Sequence, residues 1–528
     1  MNAFDHIKNI LVSENIGTIN LSTPHWDELY VTVAGNDFVK TCKLLHKRLD
    51  SAVMMFFAED LCAAAPGVFA IYCCFLSIQT HSWVFVRQDV VQDDLKIDSL
   101  AKDVYSASLF EREMSEMFGI MPVGNPDLRR LKLHNEVWPE GYYPLRKDFI
   151  DPHGRPAVGS GYRFKRVEGE GIFEVPVGPV HAGIIGPGHF RFSTAGEPII
   201  NLELRLGWTH RGIEKLLEGK EAREAVKIFE CISGDTAFGY SAAFCQSVEK
   251  ILAIDIPARA QMLRVLFLEL ERLYNHANDM GGIATDVGFS FPANFASLIK
   301  ESILKLNEAL SSSRYLKGIN TVGGVKQDID EDKINIIRAS LLKIKKDFSE
   351  LEEMLFSSIS FMDRVDSTGI LRVKTARDLG ITGLAARASG IALDMRKVFP
   401  GVYGSLSFNA AKEHSGDVAS RLKVRCHEAK ESIALIEQCL ERLNACAGHV
   451  NVAAQKRGGV ALGCVEAWRG PVLVWTRLNA EGKIGRCKIV DPSFHNWEAL
   501  SYAVLGNIIP DFPLCNKSFD LSYPGNDL

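Results

Sequence analysis

The sequence predicts an α+β N-terminal domain followed by a mainly α large domain. Three observations carry this expectation. The chain has 528 residues, which at roughly 150 residues per domain leaves room for more than one domain. Its first part alternates helical stretches with runs rich in β-branched and aromatic residues. From about residue 211 to 450, apolar residues recur at helical spacing and strand signals are few.

Taken in order, 37–49 reads as a helix, 67–78 and 83–90 as strands, and 100–118 as a second helix. A Pro- and Gly-dense segment closes a first domain at 1–150. The linker 151–174 opens on Asp151-Pro-His-Gly-Arg-Pro and contains Gly159-Ser-Gly. The large domain, 175–528, begins with short strand-like runs broken by Gly186, Gly188 and Gly196. In its helices Pro257 suits a first helical position, followed by a stripe of Leu263, Leu266, Phe267, Leu270, Leu273 and Tyr274. A second stripe runs through Ile337, Leu341, Ile344, Phe348, Leu351 and Leu355. Such stripes are packing surfaces and carry no chemistry. The C-terminal part reads as short strands and an irregular tail.

Composition narrows the function classes. A net charge of −5 argues against a general nucleic-acid binder. Mean hydropathy is +0.02, and the longest apolar stretch, 61–76, is broken by Pro66-Gly67. Neither suits a membrane span. The first residues lack a cationic segment followed by an apolar one, so no secretory signal is expected. Of twelve cysteines no two stand three positions apart, and each reads as a buried hydrophobe, Cys231 included. Gly-x-Gly-x-x-Gly, the phosphate loop, Gly-x-Ser-x-Gly and His-Glu-x-x-His are all absent.

Two ordered sets of motifs carry a family resemblance. The first is Glu111-Arg-Glu-x-x-Glu-Met-Phe-Gly-Ile, then Gly124-Asn-Pro-Asp-Leu-Arg-Arg-Leu, closing with Tyr143-Pro-Leu-Arg-Lys-Asp-Phe. It resembles the small peripheral-arm (30 kDa-type) subunit of respiratory complex I. The second set starts with Val177-Gly-Pro-Val-His, Gly188-His-Phe-Arg, Thr209-His-Arg-Gly-Ile-Glu-Lys-Leu and Ser247-Val-Glu-Lys. It continues with Pro257-Ala-Arg-Ala, Leu268-Glu-Leu-Glu-Arg-Leu, Gly323-Gly-Val-Lys, Arg387-Ala-Ser-Gly and Asp491-Pro-Ser-Phe. This set is similar to the quinone-site large (49 kDa-type) subunit and to the large subunit of membrane-bound nickel–iron hydrogenases. The fusion of both regions looks more like the formate-hydrogenlyase type. The resemblance implies a small antiparallel β-sheet at the start of the large domain.

The resemblance also implies where chemistry would sit. Hydrogenases hold nickel and iron through four cysteines, and these positions fall here on Ser233, Thr236, Ser522 and Gly525. Without thiolates no metal is expected in this chain. Nor is the tail that hydrogenase maturation removes expected beyond Leu528. In complex I a histidine, an aspartate and a tyrosine surround the quinone headgroup. The first two map to His189 and Asp286, while the tyrosine position falls on Gly234. His189 is expected to donate the headgroup hydrogen bond, and Asp286 to act with it or to cap a helix. His181, Glu466 and Arg469 would support the cavity, with Glu466 and Arg469 paired to each other. The implied assembly is a peripheral oxidoreductase subunit of NADH:quinone oxidoreductase or hydrogenase-related type, on the cytoplasmic face of the inner membrane. Its cofactors would be an iron–sulfur cluster in a small partner subunit and a possible quinone, with none bound by this chain itself. Antiporter-like and other membrane subunits would lie below. The alternatives are a non-catalytic structural subunit with a relic cavity and a nickel–iron hydrogenase.

Overall fold

The computed structural model describes residues 3–528 except 63, 153, 155–158, 160, 183–184, 444–445, 447–449 and 454–456. Its architecture is mixed helix and sheet. The N-terminal sheet has five strands in the order Thr18–His25, Glu28–Val33, Ser82–Val91, Val68–Ser77, Met55–Asp60. All neighbours are antiparallel except Glu28–Val33 with Ser82–Val91. The two strands predicted from sequence are thus interior strands, and their unbroken apolar runs suit coverage on both faces. Helix Gly35–Leu49 buries Phe38, Thr41, Cys42 and Leu45, the i, i+3, i+4, i+7 face expected of a helix on a sheet.

The second predicted helix is shorter than expected, Ser108–Phe118. Glu111 is the reason. Its buried carboxylate accepts from Ser99 Oγ at 2.6 Å and from the Leu100 amide at 2.7 Å, folding the preceding residues into turns around it. The linker lies partly outside the described residues, and the described remainder holds no helix or strand before Ile172.

The large domain opens with an antiparallel sheet of Ile172–Val177, His189–Ala195 and Ile199–Arg205, His189–Ala195 in the middle. Helices Ala237–Leu252, Ala258–Asp286, Ser290–Ser311, Glu331–Ser357 and Val418–Leu443 form its body. Every residue of the two predicted apolar stripes is buried. Pro257 stands at the cap of helix Ala258–Asp286, one place before the first helical position.

A further antiparallel sheet, Gly459–Glu466, Pro471–Leu478 and Ile484–Val490, packs on helix Ala237–Leu252. Its other face completes the N-terminal core, where Leu462, Leu473, Trp475 and Val490 join Tyr30, Phe57 and Tyr72. Trp475 Nε1 donates to the Tyr30 hydroxyl at 2.9 Å. Truncating such a tryptophan to alanine costs about 3–5 kcal/mol, so this side chain ties the two parts together strongly.

The tail is helical, not irregular: Pro492–Ala503, Phe512–Phe519 and Tyr523–Asp527 follow the last strand. The helix start signal lies inside the Asp491-Pro-Ser-Phe motif. Asp491 accepts from the Ser493 amide at 2.6 Å, and Pro492 takes the first helical position. Most cysteines are buried, but Cys62 is exposed and so is Cys231, contrary to the buried positions expected for both. Cys231 sits in the turn after helix Ala222–Phe229, where its backbone carbonyl receives Arg211. Among the described residues no helix is long and apolar enough to cross a membrane.

Candidate functional site

Two segments far apart in sequence meet at the N-terminus of helix Ala237–Leu252. The turn holding Ser233 and Thr236 leads into that helix, and Ser522 caps helix Tyr523–Asp527 by accepting from the Gly525 amide at 2.9 Å. Ser522 Oγ donates to Ser233 Oγ at 3.0 Å, and Ser233 Oγ donates to Asp235 Oδ1 at 2.6 Å. Thr236 Oγ1 donates to the same carboxylate oxygen at 3.0 Å. It receives Trp468 Nε1 at 3.0 Å and an Arg469 nitrogen at 3.3 Å. The four positions mapped from the hydrogenase pattern therefore share one buried locality. They carry three hydroxyls and a glycine.

Gly525 is required by its neighbours. A Cβ there would stand 2.7 Å from the Tyr240 hydroxyl and 2.7 Å from Asp491 Oδ2. Those two oxygens are joined by a short hydrogen bond that Tyr240 donates. Burial first, and then the Asp491 charge, push the Tyr240 phenol well above its ordinary value, so it remains a donor. Tyr240 lies one helical turn beyond Thr236, which puts both side chains on the same face.

Arg469 anchors the other side. It donates to Asp235 Oδ2 at 2.7 Å, lies 3.5 Å from Asp520 Oδ2, and bonds the Asp520 carbonyl through Nε. Burial would raise the Asp235 carboxyl, but the Arg469 charge holds it below its ordinary value. Glu271 closes the helix end that no cap side chain serves, accepting from the Phe238 amide at 2.7 Å and the Gly239 amide at 2.9 Å. Burial pushes its carboxyl up to about 8 against the pull of those amides. The arrangement is one of hydroxyl, carboxyl and guanidinium groups, suited to holding and passing protons.

His189 begins the central strand of the small sheet. Its Nδ1 lies 3.2 Å from the Gly178 carbonyl, which can only accept, so Nδ1 carries the hydrogen. Nε2 is then a lone-pair acceptor, buried and without a hydrogen-bond partner among the described residues. Burial lowers the imidazole pKa, with Arg191 and Arg205 adding to the effect against the Gly178 carbonyl. With Nδ1 donating to the Gly178 carbonyl, the ring offers an acceptor at Nε2. His181 braces the same turn through Nε2 and the Gly188 carbonyl at 2.8 Å. Gly186 and Gly188 press on the Tyr523 ring, where an added Cβ would come within 2.6 and 2.7 Å, so the turn backs onto the Ser522–Gly525 segment.

Asp286 does not hydrogen-bond to His189. It closes helix Ala258–Asp286 and caps no helix start. Burial raises its carboxyl, Lys517 opposes that, and Asp520 adds to it. Glu466 and Arg469 are not partners either: Glu466 accepts from Arg387 at 2.7 Å and from the Met395 amide at 3.0 Å. Glu466 ends a strand, whereas Arg469 lies in the turn that follows and bonds Asp235 and Asp520 instead. Sequence reasoning missed Asp235, Tyr240, Glu271 and Asp520. The i+4 spacing of Tyr240 from Thr236 was a usable signal; the partners of the others are set by tertiary contact alone.

Comparison with known proteins shows what the chain is similar to. Residues 31–154 match the family described as respiratory-chain NADH dehydrogenase, 30 Kd subunit, and residues 286–461 match the 49 Kd subunit. Formate hydrogenlyase subunit 5 of Escherichia coli (strain K12) is 33% identical over 509 residues, covering 95% of this chain and 89% of that protein. Hydrogenase-4 component G of the same organism is 32% identical, covering 95% and 88%. The carbon monoxide-induced hydrogenase of Rhodospirillum rubrum is 31% identical over 350 residues, covering 66% of this chain and 97% of that protein.

Proposed function

The chain belongs to the respiratory-chain NADH dehydrogenase 30 kDa and 49 kDa subunit family, in fused form, and from that premise we propose how this peripheral subunit of a membrane-bound oxidoreductase works. It shapes a proton-handling cavity that takes a quinone-like headgroup beside an iron–sulfur neighbour and couples it to ion-translocating membrane subunits on the cytoplasmic face. The observation that carries this reading is the buried His189 Nε2, which has no hydrogen-bond partner among the described residues, on a turn that backs onto the hydroxyl cluster. A neutral imidazole presenting a lone pair accepts a hydrogen bond from a hydroxyl, so it favours the reduced, hydroxyl-bearing form of a quinone. Three hydroxyls beside a guanidinium do not fit nickel, which takes soft thiolates.

The test is a quinone and quinol titration of the purified membrane complex, followed by absorbance. His189→Ala should lower coupled activity by about ten- to a hundredfold or more, reaching into the ~10²–10⁴ typical of a lost acid–base group. His189→Gln should be milder, because the amide retains an acceptor. A second reading, a structural subunit with a closed relic cavity, draws on the Tyr240–Asp491 pair that fills the space beside Gly525. Full activity in His189→Ala would favour that reading and overturn the first.

A further inference from the structure

A cavity of about 780 Å³ opens between the N-terminal domain and the large domain, and it shares no lining residue with the site described above. Its size, and its place at the junction of two domains, are those of small-molecule sites. The floor is apolar: Met54, Leu76 and Val104 come from the N-terminal domain, Ala376 and Ile381 from the large domain, and all five are buried. Thr382 interrupts this floor. Asn496 holds its backbone from both sides, accepting from the Thr382 amide at 3.0 Å and donating to the Thr382 carbonyl at 3.1 Å. The Thr382 hydroxyl is left buried, with no hydrogen-bond partner among the described residues. A hydroxyl in that condition bears its full desolvation cost, and a molecule seated in the cavity would supply the missing bond.

The rim is charged, and its charges do not cancel. Asp103 pairs with Lys43, and Asp50 stands 4.0 Å from Arg377. Lys102 and Lys412 also line the cavity, and neither forms an ion pair with a described residue. Against these two cations stands Asp378, which is exposed. The rim therefore keeps a positive charge in surplus above an apolar floor. We propose that this cavity binds an organic anion with an apolar, ring-sized body. The body covers the floor, one of its polar atoms bonds the Thr382 hydroxyl, and the anionic group meets Lys102 and Lys412 at the rim. A neutral apolar molecule would leave both lysines without a counter-charge. A small inorganic anion would leave the floor uncovered and the hydroxyl unbonded.

The test is a fluorescence titration of the purified full chain with anilinonaphthalene sulfonate, an aromatic anion, and with its uncharged counterpart phenylnaphthylamine. The anion should show a single saturable site that weakens as salt rises. Ala392→Trp, at an exposed position on the rim, should abolish that site by occupying the mouth. Lys102→Ala and Lys412→Ala should each weaken binding about two- to fivefold, the span of an exposed ion pair. Thr382→Val should weaken it about three- to tenfold, as for one lost hydrogen bond. The same variant should leave the urea midpoint of the unliganded chain unchanged or higher, because the hydroxyl has no bond to a described residue to lose. A threonine that only held the fold would lower the midpoint and leave binding unchanged, which would overturn the proposal. Saturable binding that survives Ala392→Trp overturns it too, as does equal affinity for the uncharged counterpart. Absence of saturable binding in the unsubstituted chain overturns it without needing any variant.

Discussion

Placing a side chain at Gly525 tests whether the site beside it is filled, as the Tyr240–Asp491 pair indicates. A Cβ at 525 stands 2.7 Å from each of two oxygens, about 0.7 Å short of the 3.4 Å at which ordinary contact begins. Both oxygens are held: Tyr240 donates to Asp491, and Asp491 also caps its helix through the Ser493 amide. Overpacking of this kind costs about 1–3 kcal/mol. Displacing the phenol also breaks a hydrogen bond to a charged group worth about 1.5–3 kcal/mol. Gly525→Ala and Gly525→Cys should therefore each destabilise the chain by about 2.5–6 kcal/mol. Gly525 already lies in a helical segment, so no backbone penalty enters. The assay is urea unfolding of the full chain followed by tryptophan fluorescence, with Trp468 and Trp497 flanking the site as reporters. In a double-mutant cycle Gly525→Ala with Tyr240→Phe should cost less than the sum of the single changes, because the second substitution removes the oxygen that the first collides with. A Gly525→Ala variant within about 0.5 kcal/mol of the parent, the range of an uneventful surface change, would refute the reasoning.

Arg469→Met should cost about 3–5 kcal/mol in the same assay, since it leaves the buried Asp235 carboxylate without its cation while Asp520 keeps only Lys517. Replacing Asp235 with Asn as well should recover part of that loss. Glu271 makes stability depend on pH with a definite sign. Its folded carboxyl titrates at about 8, far above an unfolded glutamate, so the native chain holds the proton longer. Its contribution is complete below pH about 4.5 and is lost as the pH rises through 8, by up to about 5 kcal/mol. Unfolding midpoints measured between pH 6 and 9 should fall more steeply for the parent than for Glu271→Gln; equal slopes would contradict this.

The apolar periodicity made the helical body legible, because burial of every residue in the two stripes follows from the 3.6-residue repeat alone. The two interior strands were legible for the same kind of reason, being long, β-rich and unbroken. The helical tail was not, since its cap and N1 proline sit inside a motif whose short helices have little periodicity of their own. In the site, the positions of Ser233, Thr236, Ser522 and Gly525 could be mapped from motif spacing, and the structure brings them together. What they bond to could not be mapped. Asp235, Asp520 and Arg469 come from three separated segments, and nothing local in sequence pairs them. Glu466 shows the reverse error: proximity to Arg469 in sequence suggested a pair, whereas strand geometry sends it to Arg387.

The most direct test of the proposed function is metal analysis of the membrane complex, purified with this subunit in place, alongside a hydrogen-uptake assay. With hydroxyls and a glycine at the positions that the hydrogenase resemblance maps to nickel ligands, less than about 0.1 nickel per copy of the chain and no hydrogen-dependent dye reduction are expected. One nickel per chain accompanied by hydrogen uptake would contradict this.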